Sequence, residues 1–376
     1  MKITAIKTYP VEIPLKPEFQ MISALGQHKV SRYLLVRVET DAGIEGVGEA
    51  TVMPRWSGET VWSAQAIVQQ FFEARLIGVD PFDIEAVDSA MDQAAQGNWF
   101  AKSAIEMACW DIQGRELGKP VYELLGGPFR SPTIRCRFSM GAYDPQRASG
   151  RAKELVALGF STIKVKVGTD PETDIERVRV VRDAIGDEPD IVIDANCGYC
   201  AETAIHVAHR LSDCGVVLFE QPTPRDDYAS LAAVRREIDP AVMADDICFD
   251  LNHARECIRN DACDVISVYP GKNGGLRKSL QIVALAAENG VACSIGSNLE
   301  LDVASAAMCH LVLAHRNMNI EAYPGDIMGP QYHSERIIEN PLRIEGPTIT
   351  ISDRPGLGID IDWSKVESHR MNVALV

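Results

Sequence analysis

The chain has 376 residues, of which 46% are hydrophobic and 24% charged, a composition typical of a folded globular protein and not of a disordered, collagen-like or coiled-coil chain. Its 53 acidic residues outnumber its 37 basic residues, and the formal net charge of -16 argues against nucleic acid or an anionic membrane as the main partner. The sequence shows neither the apolar segment of a signal peptide nor an apolar run long enough for a membrane span, so we predict a cytoplasmic protein.

The first 50 residues alternate between apolar and polar side chains, which predicts the strands of an antiparallel sheet. Residues 59–125 instead repeat apolar side chains at helical spacing and end at Gly126-Gly127-Pro128, a typical helix stop. Strands followed by helices predict a segregated α+β capping domain over residues 1–130. Residues 342–376 alternate again, and we expect this C-terminal tail to pack back on the N-terminal domain and complete it.

Residues 131–341 form a second predicted unit, in which short apolar runs alternate with amphipathic segments of helical length. The polar residues that end five successive runs recur at intervals of 24 to 28 residues, and they are Lys166, Asp194, Glu220, Asp245 and Tyr269. So many consecutive units predict an α/β fold with a modified (β/α) TIM-type barrel. A doubly wound open sheet is the alternative, but the unit has neither a dinucleotide fingerprint after its first strand nor a phosphate-loop motif.

Three carboxylates are predicted to converge at the carboxyl ends of the barrel strands. Asp194, Glu220 and Asp245 end three successive strands, and those ends face the same rim of a barrel. Unpaired, they would repel one another, whereas Mg²⁺, or Mn²⁺ in its place, prefers such oxygen ligands and cancels the repulsion. The alternative is that each acid caps the helix that follows it. Asn196 is expected to steady a ligand or a metal-bound water.

Two lysines precede the carboxylates by one strand. Lys164 and Lys166 are two residues apart, so their side chains point to the same side of the strand, and the apolar residues between and around them take the helix-covered side. We therefore expect both lysines to face the barrel mouth. Burial and their mutual repulsion would lower the pKa of a lysine and make it available as a base. A pair of lysines on a surface strand is the plainer alternative.

Three further polar residues follow the later predicted strands, toward the end of the barrel. Glu300 lies in the segment Gly296-Ser297-Asn298-Leu299-Glu300, and Asp326 follows 26 residues later. We expect Asn298, Glu300 and Asp326 to bind substrate at the rim, with helix capping as the alternative for the two acids.

The motifs together resemble those of the enolase superfamily, specifically the muconate lactonizing enzyme-like subgroup of the mandelate racemase/muconate lactonizing enzyme family. The resemblance covers nearly the whole chain. The segments that carry it are Lys164-Val165-Lys166, Asp194-Ala195-Asn196, Phe219-Glu220-Gln221-Pro222, Met243-Ala244-Asp245-Asp246, Lys272-Asn273-Gly274-Gly275, Gly296-Ser297-Asn298-Leu299-Glu300 and Pro355-Gly356-Leu357-Gly358.

The resemblance implies a capping domain over a barrel, Mg²⁺ held by the three carboxylates, and Lys166 as the acid/base at the carbon next to a carboxylate, assisted electrostatically by Lys164. Segments 21–29 and 51–58 would close over the substrate. It also implies a homo-oligomer. Two residues depart from the family pattern: Asp246 stands where glutamate is common, and Tyr269 stands where a second catalytic lysine is usual, with Lys272 three residues beyond it.

The predicted reaction follows from the presence of Tyr269 in place of a second catalytic lysine. Racemisation needs acid/base groups on both faces of the α-carbon, whereas cycloisomerisation or dehydration can proceed from one face. We therefore predict a Mg²⁺-dependent cycloisomerase or dehydratase of a small carboxylic acid. A racemase or epimerase that uses Tyr269 or Lys272 on the far face is the alternative. A non-catalytic small-molecule binding protein on the same barrel is a third hypothesis.

Overall fold

The computed structural model describes residues 1–371, and its N-terminal part is built on an antiparallel sheet. Its strands are β1 (Ile3–Pro14), β2 (Met21–Ser23), β3 (Gly26–His28), β4 (Val30–Thr40) and β5 (Glu45–Val52). The central strand β4 pairs with β1 on one side and β5 on the other, and β2 and β3 form a short hairpin that precedes it. The hairpin belongs to the first predicted cap segment.

Six helices follow the N-terminal sheet and cover one of its faces. They are α1 (Pro54–Ser57), α2 (Val61–Ile67), α3 (Glu73–Leu76), α4 (Ile84–Ala94), α5 (Trp99–Leu117) and α6 (Val121–Leu124), with a π-helical turn at Val68–Phe72. Most of α5 is buried, because it lies between β5 and the barrel. Two glycines of β5 allow this approach: a Cβ added at Gly46 or Gly48 would fall within 2.0 Å of a backbone oxygen of α5.

Replacing Gly48 by alanine should therefore destabilise the protein by about 2–3 kcal/mol, since overpacking against atoms that cannot rotate away displaces the backbone. The new Cβ would lie 1.7 Å from the carbonyl oxygen of Ala104. Gly150→Ala is the matched control, because that exposed helical glycine has open space around it and alanine favours the helix by about 0.5–1 kcal/mol. In urea denaturation, the midpoint of Gly48→Ala should lie below that of the wild type and the midpoint of Gly150→Ala above it. Equal midpoints for the two variants would contradict this close packing.

Seven parallel strands form the second sheet, and their spatial order follows the chain without a switch. This order confirms the barrel and excludes the doubly wound alternative. The strands are β7 (Phe138–Met140), β8 (Thr162–Lys166), β9 (Asp190–Asp194), β10 (Val216–Glu220), β11 (Ala241–Ala244), β12 (Val265–Val268) and β13 (Ala292–Ile295). Residues 317–326 occupy the eighth position without forming a regular strand: Cys293 N donates to Asn317 O (3.1 Å), and Arg137 N donates to Gly325 O (2.9 Å).

Helices connect the parallel strands on the outside of the barrel, as right-handed crossovers require. They are α7 (Pro145–Ala157), α8 (Pro171–Ile185), α9 (Ala201–Arg210), α10 (Tyr228–Glu237), α11 (Leu251–Arg259), α12 (Pro270–Asn273), α13 (Leu276–Glu288) and α14 (Asp302–Ala314). The short helix α15 (Gly329–Tyr332) follows the eighth position, and its Tyr332 lines the space at the barrel mouth. None of the helices in residues 1–371 is both long and apolar enough to cross a bilayer.

Buried carboxylates join the N-terminal part to the barrel helices. Glu49 of β5 accepts backbone N–H groups at the start of α14, and Glu106 of α5 accepts those at the start of α13. These helix ends carry unpaired donors and a partial positive charge, which suit an anion. Burial raises the pKa of both carboxyl groups to about 7. The sheet is thereby fixed over the barrel rim.

The C-terminal tail contacts both parts. Its strands β14 (Arg343–Glu345) and β15 (Thr348–Thr350) extend from β6 (Thr133–Arg135), at the entry to the barrel. After α16 (Trp363–Ser368), Met371 N donates to Pro10 O of β1 (2.9 Å). The predicted domain boundaries at 130 and 342 stay predictions, and residues 372–376 of the predicted tail lie outside the described residues.

Candidate active site

A cavity opens between the carboxyl ends of the barrel strands and the N-terminal part. The empty space that it encloses, with its open mouth included, is about 730 Å³. Both cap segments contribute to its wall, the first through Met21, Ser23, Leu25 and His28 and the second through Met53 and Trp56. The barrel contributes the predicted lysines, carboxylates and Tyr269.

The three predicted metal ligands lie side by side in this cavity. Asp194 ends β9 and Glu220 ends β10, directly opposite each other in the strand register, while Asp245 follows β11. All three side chains are buried. Burial and the negative charge of Asp194 raise the pKa of Glu220 to about 7. The carboxylates are therefore close enough to repel one another, as the sequence predicted.

Lysines form ion pairs with these carboxylates in the structure. Lys164 Nζ is 2.7 Å from Glu220 and 2.9 Å from Asp194, and Lys272 Nζ is 2.7 Å from Asp245. As they stand, no three His, Cys, Asp or Glu side chains of residues 1–371 form a group that could hold a metal ion. The donor chemistry nonetheless fits Mg²⁺, because three hard oxygen ligands from adjacent strands line one cavity and their mutual repulsion favours a divalent cation.

Lys166 is held at the cavity wall by two oxygen atoms. Its Nζ donates to Asp194 Oδ2 (2.5 Å) and to Asn196 Oδ1 (2.6 Å), and its side chain is 12% exposed. Asn196 is fixed in turn, since its backbone N–H donates to Asp194 Oδ1 (2.9 Å). The same oxygen-bearing side chains therefore orient the ammonium group toward the cavity.

Lys164 lies deeper than Lys166 and contacts three carboxylates, the third being Asp326 (2.9 Å). Burial alone would lower its pKa, but the charges of Asp194, Asp326 and Glu220 outweigh burial and raise it well above the usual value. The expectation that burial and lysine repulsion lower this pKa is therefore wrong for Lys164. It remains a cation.

Tyr269 lies across the barrel from the lysines, because β8 is the second strand of the ring and β12 the sixth. Its ring stacks on that of Trp56, with centroids 5.6 Å apart and an angle of 6°. Burial and the charge of Asp245 raise the pKa of its hydroxyl well above 10, so the hydroxyl stays protonated. It can donate a proton or a hydrogen bond but is a poor base.

Lys272 lies beneath Asp245 and does not line the cavity. Its fully buried Nζ donates to Asp245 Oδ1 (2.7 Å), Asp245 O (3.0 Å) and Ser267 O (2.7 Å). All three of its protons are used, so this placement does not support direct contact of Lys272 with a substrate.

The other predicted substrate-binding residues take two kinds of position. Asp326 and Asn298 line the cavity, and Asn298 Nδ2 also donates to Thr51 O (2.9 Å) of the second cap segment. Glu300 does not line it: its carboxylate accepts Ser297 Oγ–H (2.6 Å) and Asn298 N–H (2.8 Å) and so shapes its own loop. Glu300 therefore holds the loop that carries Asn298, and its position does not indicate contact with a substrate.

Arg137 is a charged residue of the site that the sequence analysis missed. It is fully buried, and its guanidinium donates to Asp326 Oδ1 (2.7 Å) and Glu220 Oε2 (2.7 Å). Its spacing was the available signal. Arg137 lies two residues before Ser139 of the short first strand, and residues two apart on a strand point to the same side, as Lys164 and Lys166 do. Gln221, which accepts the backbone N–H groups of Asp245 and Ile247, was also missed.

The fold and this arrangement define an enzyme of the enolase type. Comparison with known families agrees: residues 3–126 match the mandelate racemase / muconate lactonizing enzyme N-terminal domain, and residues 147–365 match the enolase C-terminal domain-like family. The chain belongs to the mandelate racemase/muconate lactonizing enzyme family of the enolase superfamily. It is accordingly an enzyme and not a binding protein that merely shares the barrel.

Its relatives perform more than one reaction. The chain is 33% identical to a hydrophobic dipeptide epimerase of Enterococcus faecalis over 85% of this chain and 89% of the relative. It is 32% identical to muconate cycloisomerase 1 of Rhodococcus opacus over 99% of both chains. The crystal structure of a dipeptide epimerase from Enterococcus faecalis, complexed with Mg and the dipeptide L-Leu-L-Tyr, has a TM-score of 0.91 at 31% identity and covers 96% of this chain and 100% of that one.

Proposed function

We propose that this protein is a Mg²⁺-dependent enzyme that moves a proton at the carbon α to a carboxylate of a small carboxylic acid, giving cycloisomerisation or dehydration. The observation that carries the proposal is the placement of Lys166, whose ammonium is fixed by Asp194 and Asn196 at the cavity wall opposite Tyr269. A cytoplasmic location and a homo-oligomeric state remain predictions.

In this proposal Asp194, Glu220 and Asp245 would hold the metal, with Mn²⁺ as a substitute for Mg²⁺. When bound, it would supply the positive charge that stabilises negative charge on the substrate carboxylate. Lys166 exchanges the proton with the α-carbon. Lys164, which stays charged, adds a second positive charge beside the carboxylate. Lys272 keeps Asp245 in position, because two of its three hydrogen bonds go to that residue.

Tyr269 favours a reaction on one face. A racemase needs a group on each face that can both remove and return a proton. The raised pKa of Tyr269 makes its hydroxyl a donor only, and Lys272 has no free proton-accepting position. Cycloisomerisation and dehydration make no such demand, since Lys166 alone can serve them.

Epimerisation is the second candidate, because epimerases and racemases stand beside cycloisomerases among the relatives. Besides the dipeptide epimerase, the chain is 30% identical to an N-succinyl-L-Arg/Lys racemase of Bacillus cereus over 96% of both chains. In that case Lys166 would remove the α-proton from one face, Tyr269 would donate a proton to the opposite face, and exchange with solvent would restore the protonation of both groups.

Deuterium exchange distinguishes these reactions. The protein is incubated in D₂O with Mg²⁺ and pools of unsaturated, hydroxylated and N-acylated carboxylic acids, and the products are analysed by mass spectrometry against a control with EDTA. We expect a metal-dependent isomer or loss of water. Gain of one deuterium in an otherwise unchanged acid, with inversion, would establish the epimerase instead. No metal-dependent change in any pool, with no Mg²⁺ binding by calorimetry, would overturn the proposal.

A further inference from the structure

The two halves of the cavity differ in charge. The inner half is formed by the lysines and carboxylates at the strand ends. The outer half, on the side of the N-terminal part, carries the apolar side chains of the two cap segments together with Leu299. Among the residues that line the cavity, Lys164 and Lys166 are the cationic side chains, and both are already bonded to the carboxylates of the inner half.

Among residues 1–371, the lining of the outer half includes no cationic side chain for a second carboxylate, and the guanidinium of Arg55 lies against Gly26, outside this lining. The titratable lining residue of the outer half is His28, whose Nε2 lies 2.7 Å from Ser31 Oγ. Burial and the neighbouring charge of Arg32 lower the pKa of His28, so the imidazole is neutral at pH 7. Arg32 itself points away from the cavity to Glu12, at 2.7 Å. An anionic group here would lose its water without gaining a cation.

The cavity also has no carboxylate available for a substrate ammonium. Asp326 is the lining carboxylate outside the predicted metal ligands, and Arg137 and Lys164 already neutralise it at 2.7 and 2.9 Å. Glu300 is turned into its own loop. A cationic substituent would therefore also be buried without a partner.

From these observations we infer that the substrate is a monocarboxylic acid whose remaining part is uncharged and largely apolar, and that this part lies against Met21, Leu25, Met53, Trp56 and Leu299. The inference rests on the proposed function for the position of the reacting carboxylate, and it adds the class of the acid. The nearby polar groups Ser23, Ser297 and Asn298 are neutral, so they tolerate a hydroxyl or an amide but not a charge.

Binding of three acids of equal chain length tests the inference. Hexanoate, adipate and 6-aminohexanoate share a carboxylate and differ at the far end, which is neutral, anionic or cationic. Titration calorimetry on the Mg²⁺-loaded protein should show hexanoate binding at least about 10-fold more tightly than either charged acid, because an unpaired buried charge is costly. Adipate or 6-aminohexanoate binding as tightly as hexanoate would overturn the inference.

A substitution in the first cap segment reverses the expected preference. Leu25→Arg places a cation in the outer half, so it should bring adipate binding to at least that of hexanoate, whereas Leu25→Met keeps the apolar surface and the wild-type order. An unchanged order in Leu25→Arg would show that the acid does not reach Leu25. If the deuterium experiment succeeds while the charged acids bind best, the inference fails and the proposed function stands. If none of the three acids binds and no deuterium exchange occurs, both fail.

Discussion

Replacing Lys166 by alanine is expected to lower kcat/KM on the identified substrate by about 10³-fold or more, since a positioned general base contributes roughly 10² to 10⁴ to the rate and this lysine also carries charge toward the substrate carboxylate. The side chain lies at the cavity wall and contacts Asp194 and Asn196, so its removal takes one donor from each, while Lys164 still contacts Asp194. The loss should appear mainly in kcat.

Lys166→Arg is the matched control for charge. It keeps a cation beside Asp194, but a guanidinium cannot lose its proton near neutral pH. We expect Mg²⁺ affinity and urea stability close to the wild type, together with a loss of turnover nearly as large as that of Lys166→Ala. Turnover above about a tenth of the wild-type value in the arginine variant would show that Lys166 acts through its charge and that another group moves the proton.

The convergence of the acids was predictable because it depends on topology alone. Parallel strands that follow one another in the chain bring their carboxyl ends together, whatever the details of packing. Asp194, Glu220 and Asp245 therefore had to meet once the repeat of strands and helices was recognised. In the same way, the two-residue spacing of Lys164 and Lys166 fixed a common face.

The position of Lys272 was not predictable for a different reason. Four rotatable bonds allow a lysine side chain to reach several directions from one backbone position. In the structure it turns from α12 under the loop that follows β11 and bonds to Asp245 and Ser267. Only the placement of those oxygens, which depends on tertiary packing, determines that direction.

The eighth position of the barrel also escaped the sequence pattern. Residues 317–326 close the ring through isolated β-bridges and lack the apolar run of a buried strand. Arg137 was missed for a related reason: it directly precedes a strand of only three residues, and its partner Asp326 lies 189 residues away in that irregular segment. The pairing across the closure is visible only in three dimensions.

Arg137→Met should lower the free energy of unfolding by about 3–5 kcal/mol, the usual cost of removing one partner from a buried ion pair. Glu220 and Asp326 would remain buried, with Lys164 as their remaining cationic neighbour. Burial acts to raise the pKa of Asp326, but Arg137 and Lys164 outweigh burial and hold it below its usual value. This carboxylate therefore stabilises the fold above the unfolded pKa of about 3.9, and its contribution is lost as the pH falls through the lower folded pKa.

Two matched variants separate the ion pair from the mere loss of an arginine. Arg135→Met removes an exposed guanidinium two residues earlier, so it should change stability by no more than about 0.5 kcal/mol. Arg137→Lys keeps the charge but cannot donate to Asp326 and Glu220 in the same forked geometry. Its decrease in the free energy of unfolding should therefore lie between those of Arg135→Met and Arg137→Met. Urea denaturation at pH 7 measures all three. If Arg137→Met were as stable as Arg135→Met, the barrel closure between β7 and residues 317–326 would depend on its backbone hydrogen bonds and not on this guanidinium.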